Sequence, residues 1–215
     1  MKIIRKSLSD QIYEILKNDI LTGEIGFGDM LVNRDLQMRF DVSSTPIRDA
    51  VLKLHTDGLI DSIERTGAKV IDFSLEFALE VNEVLMYVVQ WGMISAFKKG
   101  NVDLIIEKAI DNIELQVLSL GTEKYFDYDY KFHKIFVDYS NNSRLIKLFK
   151  EYNVLHEVLV RSFYNPQNTE EKQRISIDKH RDIIMAYKNR DLDRSLSYVE
   201  EHYKIAEVLF KENLE

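Results

Sequence analysis

The 215-residue chain contains no cysteine, only two prolines and eight glycines. The missing thiols exclude disulfides and thiolate-held metals, and fit a cytoplasmic protein. So few prolines and glycines leave little punctuation for short strands and argue for a mainly helical chain. No apolar run is long enough to span a bilayer, so no membrane partner is expected. The start Met1-Lys2-Ile3-Ile4-Arg5-Lys6-Ser7 lacks the apolar centre of a signal peptide. An excess of positive charge is also missing: the net charge is -7. Residues 1–70 alone carry 10 Lys+Arg against 11 Asp+Glu. A nonspecific electrostatic grip on nucleic acid is therefore weak, and any DNA binding must rest on a few placed arginines and on two copies acting together.

What is present is the make-up of a folded protein, 45% hydrophobic and 30% charged, long enough for two modest domains. The first of these is organised around Phe40-Asp41-Val42-Ser43-Ser44-Thr45-Pro46-Ile47-Arg48-Asp49-Ala50-Val51. Ser43-Ser44-Thr45 reads as a turn, and Pro46 suits a first helical position, where its missing N–H is not needed. Ile47, Ala50, Val51 and Leu54 recur at helical spacing as a buried stripe, leaving Arg48 to point elsewhere. Hydroxyls and an arginine at an exposed helix start suit contact with phosphates and base edges.

The surroundings predict a winged helix-turn-helix. A first helix is expected from Ser9 to Thr22, with Ile12, Ile15, Leu16 and Ile20 as its apolar face and Tyr13 at the edge. Gly23, Gly26 and Gly28 break the chain, and a second helix runs from Asn33, as N-cap, through Leu36 to Phe40. Asp57-Gly58 closes the central helix. Leu59 to Glu64 and Ala68 to Ile71 read as two strands around Arg65-Thr66-Gly67, a two-stranded wing.

Residues Ser9 to Val70 thereby resemble the DNA-binding domain of GntR-type bacterial transcription regulators. The matching pieces are Ile20-Leu21-Thr22-Gly23, Asn33-Arg34-Asp35-Leu36, Val42 to Ala50, and Leu54 through Gly58-Leu59-Ile60, with the wing glycine. The resemblance implies operator contact by Arg34, Ser43, Thr45 and Arg48, with Gly67 entering the minor groove. Where some relatives carry an arginine, this chain has Ser44.

Beyond Ile71-Asp72-Phe73-Ser74 no segment alternates as a strand. Six helical stretches follow: 75–99, 102–120, 123–139, 143–163, 169–188 and 192–213, broken at Gly100-Asn101, Gly121, Asn141-Asn142, Asn165-Pro166 and Asn189-Arg190-Asp191. Connections this short predict an antiparallel helical bundle. The expected division is thus a DNA-binding domain over 1–71 and an all-helical domain over 72–215.

Asp129 and His133 are four residues apart and share a helix face. His180 and His202 stand on the last two helices. A carboxylate and three imidazoles meeting inside a bundle would form a site for a divalent transition metal. Spacing establishes the shared face of Asp129 and His133 but not the approach of His180 and His202. His55 reads as exposed, His156 as core or pocket lining, and Tyr125, Tyr128, Tyr130 and Tyr152 as packing.

Ser74 to Leu209 is similar to the all-helical FCD effector-binding domain of the FadR-like branch of GntR regulators, through Asp129-x-x-Phe132-His133 and the terminal helix pair with Asp191 at its turn. The resemblance implies Asp129, His133, His180 and His202 as ligands to a divalent ion, zinc or nickel on ligand chemistry. The ion would help hold a small organic acid by its carboxylate. An arginine common in the first helix of this domain is Leu85 here, with Arg161 a possible substitute, and the glycine of the last turn is Arg190.

The leading expectation is a homodimeric, sequence-specific transcription regulator of double-stranded operator DNA, not an enzyme, that senses a carboxylate effector. Two alternatives stay open on the residues alone: a metalloenzyme using the Asp/His set to activate water, and a regulator whose metal is purely structural.

Overall fold

The computed structural model describes residues 6–163 and 169–214. The stretch Met1 to Arg5 and the expected break at Asn165-Pro166 lie outside them. The chain divides into two units, Met1–Ser74 and Leu75–Glu215.

In the first unit, Ser7 starts α1 (Leu8–Leu21) with a capping box: its side chain accepts from the Asp10 backbone N–H, and the Asp10 carboxylate accepts from the Ser7 backbone N–H. The buried face is Ile12, Leu16 and Ile20. Ile15, expected on that face, is 42% exposed. The stripe drifts towards Leu16 and Ile20, and Ile15 lies about 100° around the helix from Leu16.

Two helices and a small sheet complete the unit. Asn33–Phe40 forms α2 and Ser44–Thr56 forms α3. Asp41, in the left-handed region at φ 51°, makes the sharp turn between them, and the Val42 N–H returns to the Gln37 carbonyl. The N-cap of α2 is Val32 rather than Asn33, and no side chain caps it. Pro46 is the third residue of α3 rather than the first; it still falls among the first four positions, whose N–H groups have no intrahelical acceptor. Ile47, Ala50, Val51 and Leu54 are buried as their spacing predicts, and α3 packs on α1. The exposed His55 sits in the last turn of α3.

The wing hairpin, β2 (Ile60–Ile63) and β3 (Gly67–Val70), acquires a third strand, β1 (Met30–Val32). The order is β1-β3-β2, antiparallel throughout, with Leu31 opposite Ala68 and Val32 opposite Gly67. A Cβ on Gly67 would lie 2.2 Å from the Leu31 carbonyl oxygen, so a glycine is required for β1 to approach.

The second unit has six helices among the described residues: α4 (Leu75–Lys99), α5 (Val102–Leu118), α6 (Lys124–Asp138), α7 (Ser143–Ser162), α8 (Thr169–Lys188) and α9 (Leu192–Leu214). Side-chain caps start three of them, Asn101 accepting from the Leu104 N–H, Asn142 from the Arg144 and Leu145 N–H groups, and Asp191 ahead of α9. The three-residue connection between α8 and α9 turns at Arg190, φ 62°, and the Asp191 carboxylate accepts from the Arg194 N–H. The core centres on α6, where Phe132 and Phe136 are fully buried with Val89, Met93, Phe149 and Tyr187 around them. Gly92 lets α4 lie against α6, since a Cβ there would meet Val137 at 3.0–3.3 Å. No helix among the described residues is long and apolar enough to cross a membrane.

Candidate metal centre and nucleic-acid interface

On the first unit, Arg34, Ser43, Thr45 and Arg48 are all exposed, at the starts of α2 and α3. Other basic residues of the unit are tied up: Arg39 bonds Asp19 at 2.7 Å and Lys53 pairs with Asp10. Among the described residues of this unit, Arg34, Arg48, Arg65 and Lys69 have no acidic partner, and neither has Lys17, which lies over the Tyr13 ring. Apart from Lys17, the cations left free sit at the two helix starts and on the wing, so a near-neutral unit can still present positive charge where DNA would lie. Gly67 is buried against β1; the exposed wing tip is Arg65 and Thr66. Arg65 escaped the sequence reading because nothing in its spacing separates it from an ordinary turn residue.

In the second unit, one ligand atom from each of Asp129, His133, His180 and His202 lies within 4.8 Å of the others. Asp129 and His133 come from α6, His180 from α8 and His202 from α9. The convergence that spacing could not establish is thus present. The Nε2 atoms of His133 and His202 face each other at 3.1 Å, and His180 Nε2 is 3.7 Å from Asp129 Oδ1.

Hydrogen bonds fix which His180 nitrogen faces the cluster. The Gln116 amide donates to Asn112 Oδ1 at 2.8 Å, so its carbonyl oxygen is free to accept. It accepts from His180 Nδ1 at 2.8 Å. The proton of the neutral ring is therefore on Nδ1, and the lone pair on Nε2 points at the other donors. That Nε2 is buried without a partner, as are Nδ1 of His133 and Nδ1 of His202. A His180 lone pair turned towards the Asp129 carboxylate, beside two Nε2 atoms that face each other, is the mark of an incomplete coordination set. Phe132 stacks on His180 at 4.0 Å between centroids, and Tyr125 Oη and Ser176 Oγ each donate to Asp129 Oδ1 at 3.2 Å. Gln116, Tyr125 and Ser176 were not read from sequence as site residues, because each acts on a ligand from another helix or another turn.

Burial sets the charges. It pushes His133 and His180 well below the ordinary imidazole value and His202 down to about 3, so all three rings are neutral, the form that binds metal. Burial raises Asp129 to about 6 against the opposing hydrogen bonds from Ser176 and Tyr125. A cation would reverse that shift.

A cavity of about 350 Å³ opens over the cluster, lined by Asp129, His133 and His202 and by residues of α4, α6, α7, α8 and α9. His180, with no exposure, lies beneath its wall. His156 lines the cavity as well, its Nε2 held 3.0 Å from Asn82 Oδ1 and its pKa lowered by burial to about 4. Tyr125 and Tyr130 are on the wall, while Tyr128 lies under Lys131. The structure gives Arg161 a different setting from the effector contact expected of it. Its guanidinium bonds Glu157 at 2.6 Å, Asp127 at 3.0 Å and Glu123 at 3.2 Å, stacks over Phe126, and is absent from the cavity wall.

Residues 8–70 match the bacterial regulatory proteins of the gntR family, and residues 105–205 match the FCD domain. The chain is 25% identical over 198 residues to the uncharacterized HTH-type transcriptional regulator YdhC of Bacillus subtilis, covering 90% of this chain and 86% of that one. It is 24% identical over 194 residues to the gluconate operon transcriptional repressor of Bacillus licheniformis, covering 87% and 79%. Among solved structures, E. coli McbR/YncC superposes with a TM-score of 0.75 at 17% identity, covering 98% of this chain and 100% of that one. A putative GntR transcriptional regulator from Rhodococcus sp. RHA1 gives 0.74 at 17%, covering 97% and 99%. The matched families and relatives are regulators of transcription rather than enzymes.

Proposed function

This chain belongs to the GntR family of DNA-binding transcription regulators and carries an FCD domain, and from that premise we propose that it is a homodimer whose operator affinity is set by a carboxylate effector at a metal-containing pocket. Residues 1–71 would read DNA and 72–215 would sense. Arg34, Ser43, Thr45 and Arg48 contact the operator, and the tight turn at Gly67 presents the wing tip to the minor groove. Two half-sites require two copies.

The observation that carries the sensing half is the convergence of three neutral imidazoles on Asp129, their donor atoms within 4.8 Å of one another and the unpartnered His180 Nε2 among them. These four residues would hold a late divalent ion, zinc or nickel by donor type, which supplies a fixed positive charge and open positions for a carboxylate. The chain's own residues prepare the site. Gln116 holds the His180 tautomer, Tyr125 and Ser176 orient the Asp129 carboxylate, and the apolar walls exclude water. Arg161 acts as a positioning residue: it holds Glu157 and lends positive charge near Asp129. An effector changes DNA binding only by its differential affinity for two arrangements of the dimer.

The test is elemental analysis of the purified protein beside a His133→Ala, His180→Ala double variant. Near-stoichiometric metal in the parent and none in a folded variant is the expected result. A parent that refuses both zinc and nickel would overturn the sensing mechanism and leave the regulator assignment intact.

A further inference from the structure

The cavity has the metal donors at one end, a mainly apolar middle and the Lys172–Glu212 ion pair beyond it, and that arrangement specifies the chemistry of its occupant. Two helices set its direction. From His202 to Leu209 on α9, and from His133 back to Phe126 on α6, the chain moves seven residues, two helical turns or about 10 Å. His156 and the buried Asn153 amide add to the polar lining on α7. Leu209, Phe126, Val160 and Ile175 make the middle of the wall apolar.

The charges on the wall restrict the occupant further. Lys172 is the one lysine or arginine lining the cavity, and it lies 3.8 Å from Glu212 on the same wall. Glu157 is the other charged side chain apart from Asp129, already engaged by Arg161 from behind. A second carboxylate on the occupant would find no free cation and two glutamates. A polyhydroxy acid would have to bury hydroxyls against carbon, each at the cost of a lost hydrogen bond. An apolar body meets neither penalty.

We propose that the effector is an elongated monocarboxylic acid with an apolar body, of the medium-chain alkanoic class, carboxylate at the imidazole end and body along Leu209 and Phe126. The proposal rests on the metal-pocket reading above.

The experiment is isothermal titration of the zinc-loaded full chain with butanoate, octanoate, octanedioate and gluconate. If all four extra methylenes of octanoate are buried, its Kd is roughly 200-fold below that of butanoate, about fourfold per methylene. Octanedioate and gluconate bind more weakly than octanoate. Val208, 54% exposed and six residues along α9 from His202, tolerates a charge without threat to folding. Val208→Asp is expected to weaken octanoate about tenfold and butanoate hardly at all, the contrast expected of a residue that meets only the longer body. Gluconate or octanedioate binding more tightly than octanoate overturns the assignment of class and leaves the metal-pocket reading standing. If zinc loads and none of the four acids binds, the carboxylate-effector assignment falls and the metal site stands.

Discussion

Replacing Asp129 by Asn tests the electrostatics of the centre most directly. Asp129 accepts hydrogen bonds from Tyr125 and Ser176, and burial raises it from 3.8 to about 6. A raised carboxyl contributes its full stability below the unfolded pKa and loses it as pH rises through the folded value, here between about pH 4 and pH 6. In the metal-free protein at pH 7 the ionised side chain is therefore a liability. A shift of about two units corresponds to roughly 3 kcal/mol as a ceiling. The side chain keeps 28% exposure, so screening by water leaves about 1–2 kcal/mol. Asparagine retains a carbonyl oxygen for Tyr125 and Ser176 and carries no charge. In EDTA at pH 7, Asp129→Asn should thus melt about 2–8 °C above the parent in scanning calorimetry. The gap should close as the pH is lowered towards 4. The histidines, whose depressed values cost stability in acid, affect parent and variant alike and cancel in the difference. With zinc added the order reverses, because the variant has lost the anionic ligand. A variant less stable than the parent in EDTA, or a gap that ignores pH, would refute the reasoning.

Three further outcomes follow from the geometry. Gln116→Ala frees His180 to change tautomer, and competition with a chromophoric chelator should show metal affinity reduced about 10–100-fold. Arg48→Ala should weaken the specific operator by roughly 1–3 kcal/mol in a mobility-shift titration while the fold, followed by circular dichroism, is unchanged. Gly67→Ala forces a Cβ against the Leu31 carbonyl and should destabilise the first unit by about 2–3 kcal/mol in urea melts; an unchanged midpoint would mean that β1 does not need the close approach.

The bundle was legible because each of its helices is long and its breaks carry Gly or Asn. The expected 75–99 and 169–188 coincide with the observed helices, and the others differ by no more than two residues at an end. What escaped was short. Met30–Val32 has three residues, too few for alternation to declare a strand, and its partner β3 lies far along the chain. Ile15 was misplaced because spacing gives a stripe's period before its centre. At the site, the i, i+4 step tied Asp129 to His133 from local geometry alone, whereas His180 and His202 joined them only through the family likeness. The setting of Arg161 was invisible, since Asp127 and Glu123 lie 34 and 38 residues earlier. Long-range pairing of that kind leaves no periodic trace.

His180 lies under the cavity wall while the other three donors line it. An ion held by all four and an acid seated above it would share one route in single file. Loading would then be ordered, ion before acid, and unloading would run in reverse. A bound acid would delay the escape of the ion, so stripping by a chelator would slow as the acid concentration rises. The regulator would acquire a memory: a cell that loses its supply of the metal keeps a working sensor for as long as the acid persists, and forgets only after the acid has gone.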